Sequence, residues 1–135
     1  MIVYQDNLDN INPGMLNGFF DGWKNFPSKE KHFELLQNSS FKLIAVDNEM
    51  NIVAGFINAV SDGVLAAYIP FLEVIPLYKN QGIGGELVKR MFKKLKDYYM
   101  IDIVCDESFQ GFYEKLGMKK YTAMIVRNYD RQSGE

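Results

Sequence analysis

Gly82, Gly84 and Gly85 fall within four consecutive positions of "YKNQGIGGELV" (residues 78–88), just ahead of the helix-forming Glu86-Leu87-Val88. Glycine lacks Cβ, so the chain can turn sharply there and a ligand can come close to the main chain. The first N–H groups of a helix have no internal partner and carry the positive end of its dipole. A glycine-rich entry to a helix therefore suits an anion, a phosphate above all. The competing reading is a tight strand-to-helix connection with no ligand. Two common phosphate patterns do not fit. No Lys-Ser/Thr pair follows the glycines, as a P-loop requires. Gly82-Ile83-Gly84-Gly85-Glu86-Leu87 places leucine where the dinucleotide fingerprint has its third glycine.

Other reactive residue types are sparse. His32 is the only histidine; it lies on a stretch that reads as a helix covering a sheet, and a surface or capping role is expected rather than a catalytic one. Cys105 is the only cysteine. It ends an apolar strand with no basic cluster to activate it, so a buried, inert thiol is expected. A single cysteine excludes an internal disulfide and fits a reducing compartment. Apolar residues make up 47% and charged residues 24%, with a net charge of −2. That balance leaves no basic footprint for nucleic acid. No apolar run approaches the ~18 residues of a membrane span, and "MIVYQDNLDN" lacks a signal-peptide pattern. A single cytoplasmic domain over residues 1–135 is expected, with 128–135 as a fraying polar tail.

The elements that must hold the glycine turn can be read from period and punctuation. A short strand is expected at Ile2–Tyr4, then a helix over Pro13–Trp23 with Pro13 near its start. A second helix is expected in "SKEKHFELLQNSS", with Ser28 as N-cap and Phe33, Leu35 and Leu36 on its apolar side. "FKLIAVD", "NEMN" and "IVAGFINAV" read as a hairpin. "VLAAYIPFLEVIP" reads as a third strand in which Pro70 forces a bulge or break. "GELVKRMFKKLKDYY" carries Leu87, Val88, Met91, Phe92, Leu95 and Tyr98 at helical spacing, with its basic residues on the other face. "MIDIVCD" reads as a buried strand parallel to its neighbour, "SFQGFYEKLG" as a short helix ended by Gly117, and "MKKYTAMIVRNY" as a last strand. The predicted order is ααββββαβαβ or close to it.

"LEVIPLYKNQGIGGELV" resembles the acyl-CoA pyrophosphate loop of the GNAT superfamily of N-acyltransferases. Val74-Ile75-Pro76 matches the strand end before that loop, and Gly82-Ile83-Gly84 matches its glycines. Lys79 stands where the family usually has Arg or Gln, keeping the charge without the planar fork. Downstream, "FYEKLGM" (112–118) resembles a second family segment, and Asp106 stands at a position usually held by Asn. The resemblance covers about Phe41 to Tyr129. It implies a mixed, mostly antiparallel α/β sheet with central splayed parallel strands and helices on both faces. It also implies acetyl-CoA as co-substrate, without a metal.

On that resemblance, pantetheine pairs with the backbone at Leu72 and Val74, and the pyrophosphate meets Gln81, Gly82, Ile83, Gly84 and Gly85, with Lys79, Asp106 and Phe112 beside the donor. A backbone N–H near Val74 has an oxyanion role. Tyr113 is the expected acid for the leaving thiolate. The acceptor, a primary amine, must lose a proton; Glu73 is the first candidate base and Tyr68 the next, with Asp21, Glu30 and Asp62 also available. Trp23 and Phe26 are expected to line the acceptor pocket. The implied function is transfer of an acetyl group to an amine by direct attack in a ternary complex. The alternative is a non-catalytic acyl-CoA-binding or sensing domain. The C-terminal edge strand is also open to pairing in a homodimer.

Overall fold

The strand-forming sequence from Phe41 to Val74 builds the middle of a six-stranded sheet in the computed structural model, which describes Met1 through Glu135. Strands β2 (Phe41–Asp47) and β3 (Ile52–Ser61) form the expected antiparallel hairpin. The turn between them includes Asn51 at φ +56°, a left-handed position that asparagine tolerates. Strand β1 (Ile2–Gln5) adds antiparallel to the outer side of β2. Beyond β3 the sheet divides. β4 (Ala66–Ile69) pairs with the end of β3, and β5 (Leu72–Val74) pairs with its middle. β6 (Met100–Ile103) lies parallel to β4, from Ala66 opposite Met100 to Ile69 opposite Ile103, and does not pair with β5. One parallel pair therefore sits in an otherwise antiparallel sheet, and the sheet opens into a V after Ile69 and Ile103.

The opening has a local cause. Pro70 cannot donate to a ladder, and the strand breaks at Pro70-Phe71 as its sequence predicts. Asn58, buried in β3, takes over at the gap. Its Oδ1 accepts the Phe71 N–H at 3.1 Å, its own N–H donates to the Phe71 carbonyl at 3.2 Å, and its Nδ2 donates to Ser39 Oγ at 3.0 Å. Both ends of the buried side-chain amide and the Asn58 backbone N–H are thereby bonded, which holds the kink in one geometry.

Strand alternation supplies two apolar faces. Ile44, Val46, Val53 and Phe56 pack with Met15, Phe19, Phe20 and Leu36 on one side. That side is covered by α1 (Lys29–Asn38), where Ser28 Oγ accepts the Lys31 N–H at 3.1 Å as the expected cap. On the other side Leu43, Ala45, Ala54 and Ile57 meet Leu87, Val88, Met91 and Leu95 of α2 (Ile83–Lys94). Short helix α3 (Glu107–Glu114) follows β6, with Gly117 just beyond it at φ +100°.

Four expectations are corrected. Residues 13–23 form only a 3-10 turn, Pro13–Met15, because Gly18, Phe20 and Gly22 all adopt positive φ, which no α-helix accommodates. One helix, not two, precedes the hairpin. α2 begins at Ile83 and ends at Lys94, so the glycines lie within its first turn and "LKDYY" lies beyond it. The last predicted strand is absent: residues 119–127 run as exposed chain without backbone–backbone hydrogen bonds, and a 3-10 turn at Tyr129–Arg131 follows.

His32 is also misplaced by the sequence pattern. It is 1% exposed and surrounded by the rings of Phe19, Phe20 and Phe56. Its Nε2 has no hydrogen-bond partner, and burial depresses its pKa to about 4. It is a neutral core residue.

Candidate active site

Gly82 caps α2 from the left-handed region at φ +80°. That conformation explains the first glycine by backbone alone. The next two are not demanded by the fold. A Cβ on Gly84 would meet only the Phe112 ring at 3.8 Å and a Val74 methyl at 3.9 Å, and one on Gly85 would meet nothing within 4 Å. Glycine forms helix less readily than alanine, and packing gives no reason for these two. Clear space in front of the main chain is what they provide. The first backbone bond of α2 runs from the Glu86 N–H to the Gly82 carbonyl at 3.1 Å, leaving the N–H groups of Gln81, Gly82, Ile83, Gly84 and Gly85 without backbone acceptors. Those five successive donors at a helix N-terminus form an anion cradle.

Its approach is fastened from a distance. Tyr78, in the 3-10 turn Pro76–Tyr78, donates its hydroxyl to Asp47 at the end of β2. Asp47 also accepts the Glu49 and Met50 N–H groups at 3.0 and 3.2 Å, and these bonds, that from Tyr78 first, lower its pKa. Sequence reasoning missed this pair and Asn58. The only signal for Asn58 was an amide inside the apolar run "GFINAV".

The V lies beside the cradle. Phe71 and Ile75 spend their backbone groups on β3, through the Asn58–Phe71 bond and an Ile75 N–H to Ala54 carbonyl bond of 3.0 Å. Bonding alternates along an antiparallel edge. The N–H and C=O groups of Leu72 and Val74 therefore face away from β3, into the opening. Phe112 spans the opposite side: its ring approaches the cradle at Gly84 and stacks edge-on with Tyr113 at 4.9 Å between centroids. Asp106 is the N-cap residue of α3, but its side chain makes no capping bond. Lys79 follows the Pro76–Tyr78 turn, close enough to Glu73 to favour its ionised form.

Two ionisable groups with displaced pKa values flank the opening. Glu73 is half-buried, and burial raises its pKa, partly opposed by the Phe20 N–H that donates to its Oε1 at 2.8 Å. Phe20 itself stands at φ +59°, so this bond holds a strained loop against β5. The Tyr113 phenol is pushed up to about 12, first by burial and then by the neighbouring Cys105. Cys105 is half-buried rather than buried as expected; that partial burial and then the neighbouring Asp106 charge raise its thiol pKa, which fits an inert cysteine. Tyr68 lies between β3 and β6, opposite Val60 and Asp102.

A groove of about 690 Å³ runs along the outer side of β6, lined by Tyr68, Asp102, Cys105, Tyr113 and Tyr121 among others, and it includes no residue of the glycine turn. The anion cradle and this groove are therefore two regions sharing the Tyr113 side of the V. Trp23 packs against Phe20 and Phe71, at 4.9 and 6.0 Å between centroids, and so belongs to the wall beyond Glu73. Phe26 is exposed. Asp21 follows the strained Phe20 and acts on Glu73 as a like charge. Asp62 is committed to a turn, accepting the Val64, Leu65 and Ala66 N–H groups. No three His, Cys, Asp or Glu side chains converge as a metal site. No helix is long and apolar enough to cross a membrane.

The profile of the Acetyltransferase (GNAT) family matches residues 12–118. A 42%-identical protein of Deinococcus radiodurans R1, a proposed acetyltransferase of known structure, superposes with a TM-score of 0.94 over 98% of this chain and 92% of its own. A GNAT-family acetyltransferase of Streptococcus pneumoniae TIGR4 is 27% identical, with a TM-score of 0.72 over 95% of this chain and 98% of its own. An uncharacterized N-acetyltransferase of Porphyra purpurea is 28% identical over 87% of this chain and 71% of its own length.

Proposed function

Because the chain belongs to the Acetyltransferase (GNAT) family, we propose that it moves an acetyl group from acetyl-CoA to a primary amine by direct attack in a ternary complex. The observation that carries this reading is the cradle of five unpaired N–H groups, cleared by two glycines that the fold does not need. A pyrophosphate fits such a cradle, since a Cβ at Gly84 or Gly85 would take the space that the phosphates require. When bound, acetyl-CoA supplies an activated thioester.

The chain's own residues then do the following. The N–H groups from Gln81 to Gly85 hold the pyrophosphate, and Lys79 adds positive charge. The outward backbone of Leu72 and Val74 aligns the pantetheine as an added strand would, and Phe112 closes over it. The Val74 N–H faces the thioester oxygen and stabilises negative charge there. Glu73 takes the proton that the amine must lose. Its raised pKa brings it nearer to the amine's than an ordinary carboxylate would be. Tyr68 is the second candidate for that role. Trp23, with Phe26 at the rim, walls the acceptor side. Tyr113 donates a hydrogen bond to the departing sulfur. A phenol near 12 does not release its proton outright to a thiolate whose ordinary pKa is about 8.5. Its contribution is a held donor rather than a complete transfer. Asp106, an acceptor only when ionised, serves an N–H of the pantetheine arm.

Turnover of acetyl-CoA against a panel of amines, read by released thiol, tests this reading. Thiol release should rise above background for one class of amine and fall as pH drops through the raised Glu73 pKa. CoA binding with no turnover across the panel would replace the reading with a sensing domain.

A further inference from the structure

A stretch from Pro76 to Gly82 joins the buried Ile75, just past β5, to the buried Ile83 at the start of α2. Every residue of it is exposed except Tyr78, which is half-buried with its ring against both apolar clusters. The Lys79 N–H closes the 3-10 turn on the Pro76 carbonyl at 3.3 Å, but Asn80 and Gln81 make no backbone–backbone hydrogen bond. Asn80 and Gly82 stand at φ +64° and +80°, so Gln81 lies between two left-handed residues. The chain from Tyr78 to Gln81 spans at most about 11 Å, so where Tyr78 sits decides where the first donors of the cradle sit. Helix α2 fixes the far end. Only the Tyr78 side chain fixes the near one.

The sheet builds the grip on Tyr78. β5 runs antiparallel to β3 with Val74 opposite Gly55, and the Ile75 N–H bonds the Ala54 carbonyl at 3.0 Å. The chain therefore leaves β5 along the start of β3, where Ile52 is paired with Asp47. Between these strands Ala45 faces Gly55 but Val46 faces Val53, so β3 carries Ala54 as an extra residue. Such a bulge bends a strand and re-aims the side chains beside it. Gly55, next to the bulge, admits a close approach: a Cβ there would lie 3.0 Å from the Glu73 carbonyl and 3.3 Å from an Ile83 methyl. β5 and the head of α2 are thus drawn onto one residue of β3. Asp47, 8% exposed, meets the Tyr78 hydroxyl through Oδ2, while its Oδ1 accepts the Glu49 and Met50 N–H groups. A hydroxyl donating to a carboxylate makes a stronger bond than a neutral pair does.

We propose that this bond anchors the glycine turn, which makes Tyr78 and Asp47 positioning residues for the phosphates of the donor. They act through the backbone of the turn rather than on the ligand, setting how well the N–H groups from Gln81 to Gly85 converge. The inference rests on the reading of that cradle as the CoA site. The competing role is a fastening of the β2–β3 turn with no bearing on ligand.

Calorimetric titration of CoA into the parent, Tyr78→Phe, Asp47→Asn and the double variant decides between these, with melting curves to show each folded at the titration temperature. Tyr78→Phe keeps the ring and removes the donor. Asp47→Asn keeps Oδ1 for the two turn N–H groups and removes the charge. Each should weaken CoA roughly three- to thirtyfold, and the double variant no further, because both changes break one bond. In turnover assays Tyr78→Phe should raise KM for acetyl-CoA and leave KM unchanged for S-acetylpantetheine, which has no pyrophosphate. Parent-like CoA affinity in a folded Tyr78→Phe or Asp47→Asn overturns the proposal. So do losses that add in the double variant, since two separate contacts would then be at work, and so does an equal rise of KM for both donors. A parent that binds no CoA removes the cradle reading itself, and this inference with it.

Discussion

At the scale of single residues, the distinction between a structural and a chemical tyrosine rests on Tyr113. Its phenol is held near 12, so it stays protonated wherever an amine could react. Tyr113→Phe keeps the ring beside Phe112 and removes only the donor. Turnover should fall by about 10²–10³-fold, as expected for the loss of one held donor, while CoA affinity, read by calorimetry, changes little. His32 makes the opposite kind of prediction. In the unfolded chain it protonates below about 6.5, in the fold only near 4. Between those values the unfolded state binds more protons, so stability present above 6.5 is lost as pH falls, levelling below 4. The full loss is about 3 kcal/mol. Urea unfolding at pH 7 and pH 4.5 should show His32→Leu gaining on the parent as pH falls; a constant difference would mean that His32 takes up its proton equally readily in the folded and unfolded states.

At the scale of elements, the splay depends on Asn58 more than on any residue inside the cleft. Asn58→Ala leaves the Phe71 N–H without its acceptor and removes the donor to Ser39. A buried unsatisfied group costs about 1–3 kcal/mol, so the melting temperature should drop. CoA affinity should drop with it, because Leu72 and Val74 lose their register against the cleft. A variant that melts early yet binds CoA normally would separate the kink from the site. The elements differ in how far the sequence reveals them. The hairpin, the break at Pro70 and the β-α-β unit around the glycines are written in local period and punctuation, and all are found. The stretch 13–23 has helical spacing of apolar residues, but Gly18 and Gly22 let it follow the core surface instead. His32 looked peripheral because one histidine on a helix says nothing of the aromatic residues around it, which come from the preceding loop and β3. The last strand fails for a different reason. Its residues specify an extended chain, and extended it is, but a ladder needs a partner that local sequence cannot name.

At the scale of the whole molecule, two sheet faces carry separate apolar clusters, and the proposed site lies where the sheet between them divides. One side contributes Glu73 and the strained Phe20 loop; the other contributes the glycine turn and α3. The donor and acceptor halves of a two-substrate reaction would thus enter from different layers, which suits a ternary complex. This arrangement requires that CoA be held by the main chain at the start of α2. The most direct measurement is calorimetric titration of CoA into the parent and Gly84→Glu. Gly84 is not in the left-handed region and its absent Cβ has ordinary clearance from the protein, so the fold should survive while the new side chain brings bulk and negative charge to the phosphates. The account expects CoA affinity to fall more than about tenfold, or 1.4 kcal/mol, with the melting curve intact. Unchanged affinity in a folded Gly84→Glu protein would contradict it.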